Sequence, residues 1–237
     1  MFGRWAWGLS GVYASGDYET TNKVIKADTD SWGVGLYGRY QAPRSPVFMN
    51  VFASYVVNAN KTKHKMETTG TVVKADYDTA ALGAGMALGY DIAVAPWMYV
   101  TPKVGVNWTH LTTDEVKEKG TAPILMAVKN PDVDSWQVPL EVRLAFPIYA
   151  RRFELLPELH VRYTHDFGDT EYKAKARIQG TDTVIRLKSI ALPENMFTLG
   201  GSLGFTAGAH EFSGRYDFET GDGLTSHLFN LGYKYLF

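Results

Sequence analysis

From Leu82 to Ile92 every second residue is apolar: Leu82, Ala84, Met86, Leu88, Tyr90 and Ile92. Ala81, Gly83, Gly85, Ala87, Gly89 and Asp91 stand between them. Period two sends successive side chains to opposite faces of a β-strand. Nine further segments repeat the pattern. The first carries Trp5, Trp7 and Leu9 on its apolar face. The second carries Trp32, Val34, Leu36 and Tyr40, with Arg39 on the other face. The third runs from Met49 to Tyr55, and the fifth from Met98 to Trp108 with Lys103 opposite. The sixth runs from Trp136 to Phe146, against Glu141 and Arg143. The seventh runs from Leu155 to Tyr163, against Glu158, His160 and Arg162. Phe197 to Phe205 make the eighth, and Phe212, Tyr216 and Phe218 the ninth, against Arg215 and Asp217. The tenth carries Phe229, Leu231, Tyr233, Tyr235 and Phe237, with Lys234 behind them.

The connections alternate in length. Counted from the C-terminus, Thr220 to Ser226 is moderate, Ala207 to His210 tiny, and His165 to Asn195 long. Tyr149 to Phe153 is short, His110 to Ser135 long, and Ala95-Pro96 short. Asn58 to Asp76 is long, Gln41 to Pro46 short, and Ala14 to Asp30 long. Tight turns at one end and extended loops at the other are the arrangement of an outer-membrane barrel. A soluble barrel has no reason to sort its loops this way. The sequence therefore predicts a single all-β domain over residues 1–237, an antiparallel up-and-down transmembrane β-barrel of ten strands. Both termini fall on the periplasmic side. Tyr172 to Ile178 and Thr183 to Leu187, flanking Gln179-Gly180-Thr181-Asp182, predict a hairpin above the membrane.

The inward charges of strands six, seven and nine include both signs at matching depths, so they are expected to pair across a polar lumen. Lining a conduit and tuning its selectivity is the alternative. The net charge of −1 argues against a nucleic-acid partner. The chain has no cysteine, which excludes disulfides and thiol chemistry. Its six His residues lack metal-ligand spacing, and the Gly83-Ala84-Gly85 and Gly200-Gly201 pairs lie inside strands. They predict a bend or a close strand approach, not a phosphate loop. No cofactor, metal or catalytic residue is assigned.

The stretch from Glu211 to Phe237 resembles the end of an autotransporter β-domain. It has a Tyr216-Asp217 strand, a Gly-rich loop, His227 before Asn230-Leu231-Gly232, and a terminal Tyr235-Leu236-Phe237. Ala81 to Tyr90 and Tyr99 to Val106 are similar to its middle strands. The resemblance implies a twelve-stranded barrel in the Gram-negative outer membrane, a helix through the pore and a secreted upstream passenger. It also implies that Phe229, Leu231, Tyr233, Tyr235 and Phe237 form the signal read by the barrel-assembly machinery.

This chain departs from that pattern, with ten strands counted and no pore helix before Trp5. Met1 to Trp5 lacks the composition of a signal peptide. The expectation is a translocator domain beginning near the family's third strand, in contact with outer-membrane lipid and a passenger in cis. The alternative is a standalone ten-stranded porin-like or adhesin barrel with ligand-binding external loops. Omptin proteases are ten-stranded barrels with a His/Asp pair at their rim. His165-Asp166 invites that comparison, but a structural rim role is the expectation.

Overall fold

The computed structural model describes residues 4–19, 24–65, 71–168, 173–188 and 193–235. Ten strands form one antiparallel wall: β1 (Arg4–Glu19), β2 (Ile25–Gln41), β3 (Val47–Lys65), β4 (Val72–Tyr90), β5 (Met98–Thr113), β6 (Val133–Ala145), β7 (Glu154–Asp166), β8 (Asn195–Ala207), β9 (His210–Gly221) and β10 (Leu224–Tyr235). Each pairs with its sequence neighbours, so the order is up-and-down. Alternation explains the wall directly. In β5 and β6, Val104 faces Leu140 on one side while Lys103 faces Glu141 on the other. The apolar side stays exposed throughout, with Trp32, Val34, Leu140, Val161 and Leu231 among its uncovered residues. A surface of this extent needs lipid as its solvent.

Aromatic clusters mark two levels on that side. Tyr13 meets Trp32 at 4.3 Å and Tyr163 meets Phe197 at 5.1 Å near one end. Trp5 stacks on Trp7 at 4.8 Å and Phe153 meets Phe205 at 5.6 Å near the other. At about 3.4 Å per residue, Phe153 to Tyr163 spans roughly 34 Å along the strand. A tilt of about 40° reduces that to roughly 26 Å along the normal, matching the apolar band of an outer-membrane barrel.

Four features differ from the sequence expectation. Among the described residues β1 and β10 do not pair, so the barrel is an open, curled wall with two edges. Much of the expected long loops is strand: β3 runs on to Lys65 and β4 begins at Val72, in register throughout. Likewise β1 continues to Glu19 against Lys26. Polar residues satisfy a ladder above the membrane as readily as apolar ones, so the apolar signal ends before the strand does. The moderate loop Thr220 to Ser226 is a tight turn at Asp222-Gly223, with Gly221 paired to Leu224 and Gly223 at φ 76°. Strand four ends at Tyr90 rather than Ile92, and Ile92–Ala95 forms a short separate strand on β5.

Where a bulky residue crosses the wall, a glycine opposes it. Phe48 is 1% exposed, and its ring lies over Gly89, its directly paired neighbour. A Cβ on Gly89 would sit 2.2 Å from that ring. The Arg39 guanidinium covers the ring 3.8 Å from its centroid.

A second sheet stands at the end opposite the turns at 42–46 and 208–209. It comprises Val116–Lys117, Met126–Lys129, Lys173–Ile178 and Val184–Lys188, the last two forming a hairpin. This is the hairpin expected from sequence; Tyr172 lies outside the described residues.

Candidate functional site

The concave face of the wall carries separate groups of ion pairs. Asp91, at the turn after β4, is the hub of the first group. Arg39 Nη2 reaches its carboxylate at 3.3 Å and Arg143 Nη2 at 3.6 Å. Thr101 Oγ1, fully buried, donates to it at 2.6 Å. Arg143 extends the chain by bonding Glu158 at 2.8 Å, and Ser202 donates to the same carboxylate at 2.9 Å. Lys103 pairs with Glu141, its register partner.

The second group joins β7 and β9 across β8. His160 Nε2 lies 2.9 Å from Asp217 Oδ1, and Arg215 Nε bonds Asp217 Oδ2 at 2.8 Å. Arg215 Nη2 stands 3.0 Å from the same imidazole nitrogen. His160 and Asp217 are 5% and 4% exposed. They meet because the β8 residue between them is Gly200. A Cβ there would fall 2.1 Å from Asp217 and 2.4 Å from His160. One step toward the outer end, Arg162 bonds Glu219 at 3.0 Å, with buried Thr198 bonding the same carboxylate at 3.3 Å. Contacts between next-nearest strands require the wall to curl toward this face. Most lone pairs and protons of these buried groups are matched, as such a setting demands, but Arg143 Nε and Asp217 Oδ1 are buried without a hydrogen-bond partner.

Of the candidate inward charges, Arg39, Lys103, Glu141, Arg143, Glu158, His160, Arg162, Arg215 and Asp217 belong to these groups. Lys234 stands apart near the turn end, 3.3 Å from Glu211. Sequence reading did not single out Asp91, Thr101, Thr198, Ser202, Glu211 or Glu219 as partners. Their parity within the strands is the signal that finds them. In the tenth strand, Phe229, Leu231, Tyr233 and Tyr235 are exposed on edge strand β10. Phe237 lies outside the described residues.

His165 and Asp166 point to opposite faces. His165 Nδ1 is 2.9 Å from Asn195 Oδ1, with its ring edge-on to Phe167. Asp166 accepts from Ser135 at 2.7 Å, Gln137 at 3.0 Å and the Gly168 amide at 2.8 Å. The two side chains share no hydrogen bond.

At the outer rim, beyond the girdle residue Trp136, Asp134 accepts from Trp108 Nε1 at 3.0 Å and lies 3.0 Å from His110 Nδ1. Its hydrogen bond with His110, foremost among the influences, holds the carboxyl below the usual carboxylate range.

An apolar convex face between two aromatic girdles, with paired charges on the concave face, is the anatomy of an outer-membrane β-barrel wall. The profile of the Autotransporter beta-domain matches residues 1–219, and the chain belongs to that family. Outer membrane protein A of Rickettsia rickettsii is 24% identical over 97% of this chain, and outer membrane protein B of Rickettsia prowazekii 21% over 89%. The chain spans only 10% and 13% of those proteins' lengths.

Among solved structures, the transport unit of the autotransporter AIDA-I from Escherichia coli superposes with a TM-score of 0.74 at 18% identity. It covers 99% of this chain and 76% of that one. The translocator domain of NalP from Neisseria meningitidis gives 0.73 at 16%, covering 99% and 82%. These likenesses establish the shared fold, and with the family they place the chain in the outer membrane.

Proposed function

We propose that this wall forms the translocator of an autotransporter, supporting export of a passenger polypeptide carried on its N-terminal side. The observation that carries the reading is the inverted polarity of the wall: lipid-facing apolar residues outside, ion-paired residues such as Arg143–Glu158 and Arg215–Asp217 inside. Such a wall separates a polar passage from hydrocarbon. The inward charges are proposed to hold the wall's curvature by pairing, not to select ions. Pairing leaves few of them free to meet a solute.

Edges β1 and β10 must find partners in the membrane, because an unpaired backbone group in hydrocarbon costs several kcal/mol. In the family's twelve-stranded plan, further strands join them. Phe229, Leu231, Tyr233, Tyr235 and Phe237 are proposed as the signal that the barrel-assembly machinery reads. This accounts for an exposed aromatic row on a strand whose outer edge is vacant.

The test is surface display. A folded reporter fused before Met1, behind a signal sequence, should become accessible to protease added to intact cells. A reporter that stays in the periplasm while the barrel inserts normally contradicts the proposal. Deleting Phe237 should lower the inserted fraction, and undiminished insertion would remove the signal role.

A further inference from the structure

The small outer sheet sorts its side chains by charge. Directly opposed residues in antiparallel strands share a face. Lys173 opposes Lys188, Lys175 opposes Arg186 on one flank and Lys129 on the other, and Arg177 opposes Val184 and Ala127. One face therefore collects these cations, with Lys117 at its end beside Ala127. Among the described strand residues that face holds no acidic side chain. The other face carries Val116, Val128, Ala174, Ala176, Ile185 and Leu187.

Part of the apolar face is turned to the wall: Ala176 is buried, while Ile185 and Leu187 stay 41% and 39% exposed. A cavity of about 330 Å³ is lined by Leu111, Thr113 and Val133 from the wall and Val128, Ala174 and Leu187 from the small sheet. Those wall residues share the strand parity of Lys103 and Glu141, so they lie on the concave side. Val73 and Ala75, on the same side of β4, are buried where Val116–Lys117 packs against that strand. The cationic face consequently points away from the wall and from the surrounding lipid, over the outer mouth.

Solvation alone accounts for single exposed lysines but not for this segregation. Like charges directly opposed across strands repel. Among the described residues, Lys129, Lys173, Lys175, Arg177 and Arg186 form no ion pair, while Lys117 has Glu115 at 3.1 Å. An outside anion carrying several charges at short intervals would relieve that repulsion. Neighbouring strands set cations about 4.8 Å apart and alternate residues about 6.8 Å apart.

We propose that this face is a docking surface for a sulfated linear polysaccharide at the cell exterior. Charge complementarity favours that occupant. A protein partner would need apolar or aromatic anchors at the centre of the patch, and among the described strand residues Val184 and Ala127 are the only apolar ones there. Single-stranded nucleic acid would need aromatic platforms for its bases, and the described strand residues of the face include none. Lipid headgroups lie on the far side of the wall. Arg177 and Arg186 offer planar forks to sulfate oxygens, and the lysines offer mobile point charges.

Heparin is the probe, titrated against the full chain in detergent micelles at several salt concentrations. Saturable binding that weakens with salt is expected. Reversal of Lys175→Glu, Arg177→Glu and Arg186→Glu together should weaken it at least about 30-fold, from roughly threefold per lost exposed charge contact. Lys63→Glu with Lys74→Glu, on the convex side of the β3–β4 hairpin, should change it less than about twofold. The milder pair Lys175→Gln and Arg186→Gln should weaken heparin binding while the free protein melts no lower than the parent, because a repulsion is removed. Equal weakening by the two reversal sets overturns the proposal, as does absence of saturable heparin binding. Tighter binding of poly-glutamate, single-stranded DNA or anionic vesicles than of heparin also overturns it and reassigns the face.

Discussion

Replacing Gly200 by Ala tests whether the β7–β9 charge group depends on a missing side chain. The new Cβ falls 2.1 Å from Asp217 Oδ1 and 2.5 Å from His160 Nε2. Both residues are buried and held, Asp217 by Arg215 at 2.8 Å, so the clash cannot be relieved by swinging a free end. Overpacking costs about 1–3 kcal/mol. Losing a charged hydrogen bond costs about 1.5–3 kcal/mol, and the reduced entropy of the unfolded alanine chain returns about 0.4–1 kcal/mol.

The net expectation is a loss of roughly 2–4 kcal/mol. Gly201→Ala is the matched control. Its Cβ would meet Glu158 O and Leu159 Cδ2, each at 3.4 Å, on the lipid side. That variant should fall within about 0.5 kcal/mol of the parent. Urea unfolding in detergent micelles, followed by tryptophan fluorescence, reads both. Equal losses, or a Gly200→Ala variant as stable as the parent, would refute the role given to the gap.

Gly89→Ala should destabilise by about 1–3 kcal/mol, because Phe48 must leave the position between Gly89 and Arg39; the same unfolding assay reads it. Arg215→Ala should lower thermal stability, since it strips Asp217 of its 2.8 Å partner. Unchanged stability with altered bilayer conductance would favour the conduit reading. At the rim, a carboxylate NMR titration should place Asp134 below the ordinary value of about 3.9, and His110→Ala should raise it. The sign follows: a depressed folded-state pKa stabilises above the unfolded value, and that contribution is lost as pH falls through the folded one.

All ten wall strands were legible, because a lipid-facing row beside a packed row leaves period two in the sequence. What lay above the membrane was less so. Lys61 to Lys65 and Val72 to Asp76 form ladder, yet no lipid faces their convex row, whose Lys63 and Lys74 break the apolar rhythm. The inward charges were legible as residues but not as pairs. Arg143 meets Asp91 and Arg162 meets Glu219 through strand register and curl, which no local pattern encodes. Small partners such as Thr101 and Thr198 have no signature of their own. Gly200 was legible as a close approach without its reason, since His160 and Asp217 lie on other strands. The outer hairpin was visible, but not that Met126–Lys129 pairs beside it and brings Lys129 onto its cationic face.

The central claim is that the wall's two faces meet different solvents, and the chain's lack of cysteine makes that testable. Single cysteines along β6 at Gln137, Val138, Leu140, Glu141, Val142 and Arg143 would each carry a spin label in lipid bilayers. Positions 138, 140 and 142 should be accessible to dissolved oxygen and shielded from a water-soluble nickel chelate. Positions 137, 141 and 143 should show the reverse or be shielded from both. Nickel accessibility without a period of two would contradict the membrane wall.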